Sequence, residues 1–360
     1  RSSLVMMPRA TRLFIASEGA AVLVAGVLTL GAFSSASPLS PRLSFQIATG
    51  SSGGTYFPVG EVLAGLISHP PGVSRCGVPG VCGPIGLIAS ARATEGAVAN
   101  ARAVDSGWME SGLAQSDVIA DAVHGRGAFK KGKLSHLRVI ADLFPEDMHL
   151  LVRSKTAIAD VAGLKGKRVS LGAPNSGTLV TAREILSAYR IGERRLKPSY
   201  DSPDVAAQRM QKGEIDAMFF IGGAPVPFVD ELLARGIAKL VPINGEGRTR
   251  LLKSVAGMKS TVIAPGTYPH TGRIDTVSVR AIWIVNAGQP DDVVYGVVRA
   301  LFNPANRQML DEGERSTQSI RLDTATTALP APLHPGAARF YKEAGKLPKS
   351  MVAPAKSKAH

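Results

Sequence analysis

The chain has 360 residues, 45% of them hydrophobic and 19% charged, with a formal net charge of +14. That length suits one large domain or two lobes of about 100–200 residues each, and the apolar fraction excludes a disordered chain; no Gly-X-Y period or sustained heptad is present, which excludes fibres and coiled coils. Residues 1–36 hold +2 of the charge and residues 337–360 hold +5, and the +7 left on the body is a poor nucleic-acid footprint, suited instead to small anions or an anionic membrane surface.

Residues 1–36 read as an export signal. Arg9 and Arg12 form a basic start, Gly19 to Phe33 is uncharged and mostly apolar, and Ser34-Ser35-Ala36 offers a small-x-small cleavage site. Left uncut, the segment would be a signal anchor, although its apolar run is short for a span of roughly 20 residues. The mature chain is therefore expected outside the cytoplasm. Cys76 and Cys82, in a loop of turn-forming residues, fit a disulfide in such an oxidising compartment.

Four segments then repeat one order: an apolar run, a small-residue loop and a helical stripe. Phe45–Ala48 leads into Thr49-Gly-Ser-Ser-Gly-Gly-Thr55 and a helix near Pro58, with Val59, Val62, Leu63 and Leu66 on one face. Ser111–Ala114 leads into Gln115-Ser116-Asp117 and a helix over 118–124. Arg168–Leu171 leads into Gly172-Ala-Pro-Asn-Ser-Gly-Thr178 and a stripe from Leu179 to Tyr189. Ile215–Phe220 leads into Gly222-Gly-Ala-Pro225 and a helix over 226–235. A further helix is expected between Glu95 and Ser106, with Asn100 in it as a solvent-facing or capping residue, and another from Ser202-Pro203-Asp204 to Gly213. Strands alternating with helices imply a mostly parallel sheet whose ligands bind at the carboxyl ends of the strands. Seams at Pro145–His149 and Pro265–Gly272 would divide the chain into an outer lobe (37–147 plus 273–345) and an inserted lobe (148–272), leaving a basic, disordered tail over 346–360.

The loops carry the candidate chemistry. Gly172-x4-Gly177 resembles the front of a nucleotide-binding loop, but Thr178 stands where its lysine belongs, so nucleotide hydrolysis is not expected. What remains is a helix N-terminus whose free N–H groups suit an anion, with Ser176 or Thr178 adding a hydroxyl; the plainer reading is a capped turn. Gly50-Ser-Ser-Gly-Gly54 matches the serine-hydrolase elbow, with Ser52 as nucleophile and His270 or His334 downstream. Too little chain precedes it for the earlier strands such an enzyme needs, and a ligand-binding glycine loop is the preferred reading. Gln115 offers a donor and an acceptor at a strand end, Ser116 and Asp117 read equally as a cap, and Gly222-Gly223 reads as a tight turn or a close approach to a ligand. The run Lys130, Lys131, Lys133 and Arg138 reads as solvated surface or as a contact for a membrane partner. The seven histidines have no pair at ligand spacing, and no Gly-x-Gly-x-x-Gly follows a strand, so neither a metal nor a redox cofactor is expected.

Taken together, seven pieces in order resemble the TAXI family of solute receptors for TRAP transporters. They are Ile47-Ala-Thr-Gly-Ser-Ser-Gly-Gly-Thr-Tyr-Phe-Pro-Val-Gly60, Gly96-Ala-Val-Ala-Asn100, Ser111-Gly-Leu-Ala-Gln-Ser-Asp117, Leu164-Lys-Gly-Lys-Arg-Val169, Gly172-Ala-Pro-Asn-Ser-Gly-Thr178, Gly213-Glu-Ile-Asp-Ala-Met-Phe-Phe220 and Gly266-Thr-Tyr-Pro269. The resemblance spans about residues 43–345 and departs at Ala97 and Ala99, where the family usually shows Ser and Glu. It implies an α/β, type II periplasmic binding fold with a ligand cleft between two lobes, and a periplasmic protein without enzymatic activity. It also implies delivery of a small anionic or zwitterionic solute (glutamate, glutamine or a dicarboxylate) to a TRAP permease, or, in a relative of that design, to a membrane sensor. The contacts it implies are Gly53, Gly54, Thr55, Tyr56, Gln115, Ser116, Asp117, Asn175, Ser176, Gly177, Thr178, Gly222 and Gly223.

Overall fold

The computed structural model describes residues 42–347; the expected export signal and positions 348–360 of the expected tail lie outside them. In chain order the elements are β1 (Leu43–Ala48), α1 (Tyr56–Ile67), β2 (Leu87–Arg92), α2 (Ala97–Asp105), β3 (Ser111–Gln115), α3 (Ser116–His124), β4 (Leu137–Arg153), β5 (Arg168–Ser170), α4 (Gly177–Ala188), β6 (Lys197–Ser199), α5 (Pro203–Gln211), β7 (Ala217–Gly222), α6 (Pro227–Ala234), β8 (Ala238–Leu240), α7 (Gly245–Ser254), β9 (Lys259–Ile263), β10 (Ile274–Asn286), α8 (Asp291–Leu301), α9 (Arg307–Glu312) and α10 (Pro335–Glu343). The α/β class expected from the alternating pattern is the one adopted.

The strands form one sheet in the order β2-β1-β3-β10-β4-β7-β5-β6, with β8 beside β4 and β9 beside β10. Its two ends are parallel, as expected, but its centre is not: β10 runs antiparallel to both β3 and β4, and β4 antiparallel to β7. The cause lies in two long strands, β4 of 17 residues and β10 of 13. Pro145-Glu-Asp147, read in the sequence as a break, is carried inside β4, where Pro145 opposes Arg280 close to the register shifts between Ala281 and Ile282 and between Trp283 and Ile284. A strand accommodates a proline where its ladder is already irregular.

The apolar interior changes membership along these two strands. Phe45, Leu63, Leu113, Phe144, Ala281 and Trp283 belong to one cluster, whereas Met148, Leu150, Phe219, Val277 and Val279 belong to another. A third, including Leu151, Phe220 and Tyr268, fills in around β7 and α6. Between the clusters the strands carry Pro145–Asp147 and Arg280, so apolar packing lapses where both cross. Asp142 answers Arg280 there, accepting from its Nε at 2.6 Å and from Thr327 Oγ1 at 2.7 Å.

The expected disulfide joins Cys76 and Cys82 with Cα atoms 5.2 Å apart, and packs with Val81 as a small cluster of its own. Asn100 departs from expectation. It is fully buried, donates from Nδ2 to the carbonyls of Thr49 (2.5 Å), Leu113 (2.7 Å) and Ala48 (3.3 Å), and accepts from Thr94 Oγ1 at 2.6 Å. A helix residue thus ties together β1, β3 and the loop before α2.

Candidate functional site

The strands β1, β2, β3, β5, β6 and β7 each deliver a helix, and the connecting loops gather at their carboxyl ends. There they enclose a cavity of about 210 Å³. Its walls are largely helix starts: Thr55 and Tyr56 of α1, Gly96 and Ala97 of α2, Ser176–Thr178 of α4, and Ser202 and Pro203 of α5. Gln115 and Glu146 close the side, and Met218–Ile221 of β7 form the base.

Local chemistry explains why the helices begin there. Ser176 Oγ accepts from the Leu179 N–H at 3.1 Å and donates to the Ala173 carbonyl at 2.7 Å, a self-contained cap for α4. Pro203 opens α5 at a position where a missing N–H costs nothing. The cap of α2 comes from elsewhere in the chain: Val98 and Ala99 donate to the carbonyl of Asn175, at 3.1 and 3.2 Å. Asn175 holds φ 59°, a left-handed conformation that asparagine tolerates, and its side chain donates to Glu95 at 2.7 Å while accepting from Arg102 at 2.9 Å. In the first turn of α4, Gly177 and Thr178 N–H have no acceptor among the described residues.

Of the residues singled out in the sequence, Gly54, Thr55, Tyr56, Gln115, Ser176, Gly177 and Thr178 come together on the cavity. The hydroxyl of Ser176 is already committed to Ala173, whereas Thr178 Oγ1 accepts from the Ile221 N–H at 3.4 Å and keeps its own proton to donate beside the backbone N–H groups. Asn175 lies behind the wall as the clasp just described. Gly53 and Gly222 stand at close approaches, where a Cβ would fall 1.6 Å from Asp204 Oδ1 and 2.6 Å from Thr55 Oγ1 respectively. At Gly223 a Cβ would fall 2.1 Å from Ser316 Oγ. Ser116 accepts from the Arg280 N–H at 3.1 Å, and Asp117 is buried, with Thr181 Oγ1 at 3.5 Å from Oδ2 and nothing on Oδ1 among the described residues. Burial lifts Asp117 to about 6.

Thr94, Glu95, Glu146, Asp201 and Met218–Ile221 of β7 also line the cavity, and sequence reasoning missed them. Glu146 had one signal, as a charged residue interrupting the apolar pattern of β4. No lysine or arginine among the described residues lines the cavity. Asp201 is answered by Arg209 at 2.8 Å and Glu95 by Asn175, but Glu146, 2% exposed, meets only the hydroxyl of Tyr56, which donates to its Oε2 at 2.7 Å. Desolvation pushes Glu146 up to about 8 and Tyr56 well above the usual phenol range. Thr55 Oγ1 is buried without a partner among the described residues.

Ser52 is exposed and off the cavity, and no histidine among the described residues hydrogen-bonds to it. His334 is buried and caps α10 through the Gly336 N–H, while His270 is exposed. No described helix is long and apolar enough to cross a membrane.

Among solved structures, the chain is similar to the alkanesulfonate-binding protein SsuA from Xanthomonas axonopodis pv. citri bound to MOPS (17% identity, 86% of this chain and 96% of that one, TM-score 0.46). It is similar to MatC from Rhodopseudomonas palustris with bound malate (14% identity, 85% and 97%, TM-score 0.48). It is also similar to a binding protein component of an ABC phosphonate transporter from Pseudomonas aeruginosa (9% identity, 75% and 79%, TM-score 0.49). Residues 47–345, most of the chain, match the NMT1-like family, and the protein belongs to it.

Proposed function

We propose that the protein is an extracytoplasmic receptor for a small carboxylate-bearing solute, an amino acid such as glutamate or glutamine or a dicarboxylate, serving a TRAP-type permease as its TAXI-like motifs imply. One observation carries the reading: four helices of 9–12 residues begin on a cavity that no described lysine or arginine lines. Each helix start contributes roughly half a positive charge, and the start of α4 adds the unpaired N–H groups of Gly177 and Thr178, so an anion is held by backbone rather than by lysine or arginine. At about 30 Å³ per water the cavity holds about seven waters, room for a solute of that size. The carboxylate is assigned to the N–H groups of Gly177 and Thr178, with Thr55 and Gln115 at its flanks.

In this reading segments 37–147 plus 273–345 form one lobe and 148–272 the other, and closure bends β4 and β10 where their polar middles interrupt the two cores. Asn175 fastens the inserted lobe to α2 in the closed arrangement, before the solute enters as well as after. The test is a thermal-shift panel of carboxylates and amino acids on protein stripped of carried-over ligand by unfolding and refolding. At least one member raises Tm in proportion to its occupancy; a panel with no effect removes the reading.

A further inference from the structure

The receptor reading leaves one cavity residue without a role. Glu146 sits on the wall with Oε2 taken by Tyr56 and with no partner on Oε1 among the described residues. The titratable groups that act on it most are Tyr56 on α1, Asp117 on α3, Asp147 beside it on β4 and Arg280 on β10, and Glu95 and Asp201 share the cavity lining. Arg280 is the sole cation among them and is spent on Asp142 at 2.6 Å. Asp117 is itself buried and short of partners. The structure therefore places a carboxyl group with no cation of its own in a wall of the very cavity that is to receive an anion.

We propose that Glu146 keeps its proton in the solute-bound site and donates it in a hydrogen bond from Oε1 to an acceptor atom of the solute, so that solute and proton bind together. This rests on the receptor reading above. An ionised Glu146 facing an anionic solute would set like charges together in a medium that screens poorly, whereas the neutral acid adds no charge and supplies a further donor. Desolvation is the largest influence on Glu146, with Asp117 and Asp147 acting in the same direction and Tyr56 and Arg280 against it. Below about pH 8 the proton is in place and affinity is at its plateau; above it, affinity falls toward tenfold per pH unit.

The test is calorimetric titration of the full mature chain with succinate and with L-glutamate from about pH 6 to about pH 9, in buffers of low and high ionisation enthalpy. Wild type is expected to take up protons on binding near pH 8 and to lose affinity above it. Glu146→Gln, which keeps a donor and cannot titrate, flattens the profile and binds more tightly than Glu146→Ala; circular dichroism and Tm establish that both variants fold. Affinity in wild type that is flat or rises with pH, proton release on binding, or a Gln variant as steep as wild type overturns the proposal while leaving the receptor reading intact. Binding of neither probe, nor of any other carboxylate in the panel, removes the receptor reading and this proposal with it.

Discussion

Replacing Asn100 by alanine removes the tie among β1, β3 and the Thr94 loop. Three of its hydrogen bonds are short: Nδ2 to the Thr49 and Leu113 carbonyls at 2.5 and 2.7 Å, and Thr94 Oγ1 to Oδ1 at 2.6 Å. At about 1 kcal/mol for each well-formed bond, the loss is about 3 kcal/mol, and the void left by a side chain of zero exposure adds about 1 kcal/mol. Alanine recovers about 0.6 kcal/mol in helix propensity, so Asn100→Ala is expected to destabilise by about 3 kcal/mol. Asn100→Asp has nearly the same shape but turns acceptors toward three carbonyls, and is expected to cost more than alanine. Urea unfolding followed by circular dichroism, with the buried Trp283 as a fluorescent reporter of the same core, gives both values. An alanine variant within about 1 kcal/mol of wild type, or an aspartate variant as stable as wild type, would mean that Asn100 does not hold these strands together. The tie also matters to the site, because the Gly50 loop and Gln115 leave from the strand ends that it holds.

Asn175→Ala loses two side-chain hydrogen bonds and places alanine at φ 59°, a combined cost of about 2 kcal/mol that falls on the clasped arrangement alone. Small-angle scattering of the ligand-free protein is expected to show a larger radius of gyration for this variant than for wild type, with Asn175→Gly in between; three identical profiles contradict the clasp. The Cys76–Cys82 loop is short, at a sequence separation of 6, so reduction is expected to lower unfolding free energy by about 2 kcal/mol without changing solute affinity. A larger loss of stability, or any loss of binding, would mean that the loop reaches the site. His149 accepts from Tyr268 Oη at Nε2 and donates from Nδ1 to the Asp147 carbonyl, and burial lowers it to about 4. The unfolded imidazole titrates near 6.5, so the stability tied to its neutral form is complete above that pH and is lost as pH falls toward 4, by up to about 1.4 kcal/mol per unit. His149→Asn is expected to show a shallower decline over that interval in pH-dependent urea unfolding; parallel profiles contradict the assignment.

What could be read in advance was local. The strand, small-residue loop and helix order is written in neighbouring residues, and it placed β1, β3, β5 and β7 and the helices after them within a few positions. The loops that reach the cavity were legible for the same reason, since a helix start at a strand end advertises itself through glycine, serine and proline. Long-range partners were not legible. Nothing around Ile282 announces that β10 runs antiparallel to both β3 and β4, because those partners are chosen by packing far along the chain. Asn100 reads in the sequence as a solvent-facing or capping residue and Asn175 as a ligand contact, and only the fold reveals one as a buried tie and the other as a cap for a distant helix. Glu146 was passed over because Pro145-Glu-Asp147 looks like a break, although the strand runs through it.

A crystal structure of the protein with its best-binding carboxylate would decide whether backbone amides hold the solute. The carboxylate oxygens are expected within hydrogen-bonding distance of the N–H groups of Gly177 and Thr178, beside Thr55 and Gln115. A solute bound elsewhere, or one whose carboxylate points away from the start of α4 and meets a lysine or arginine instead, would overturn the assignment.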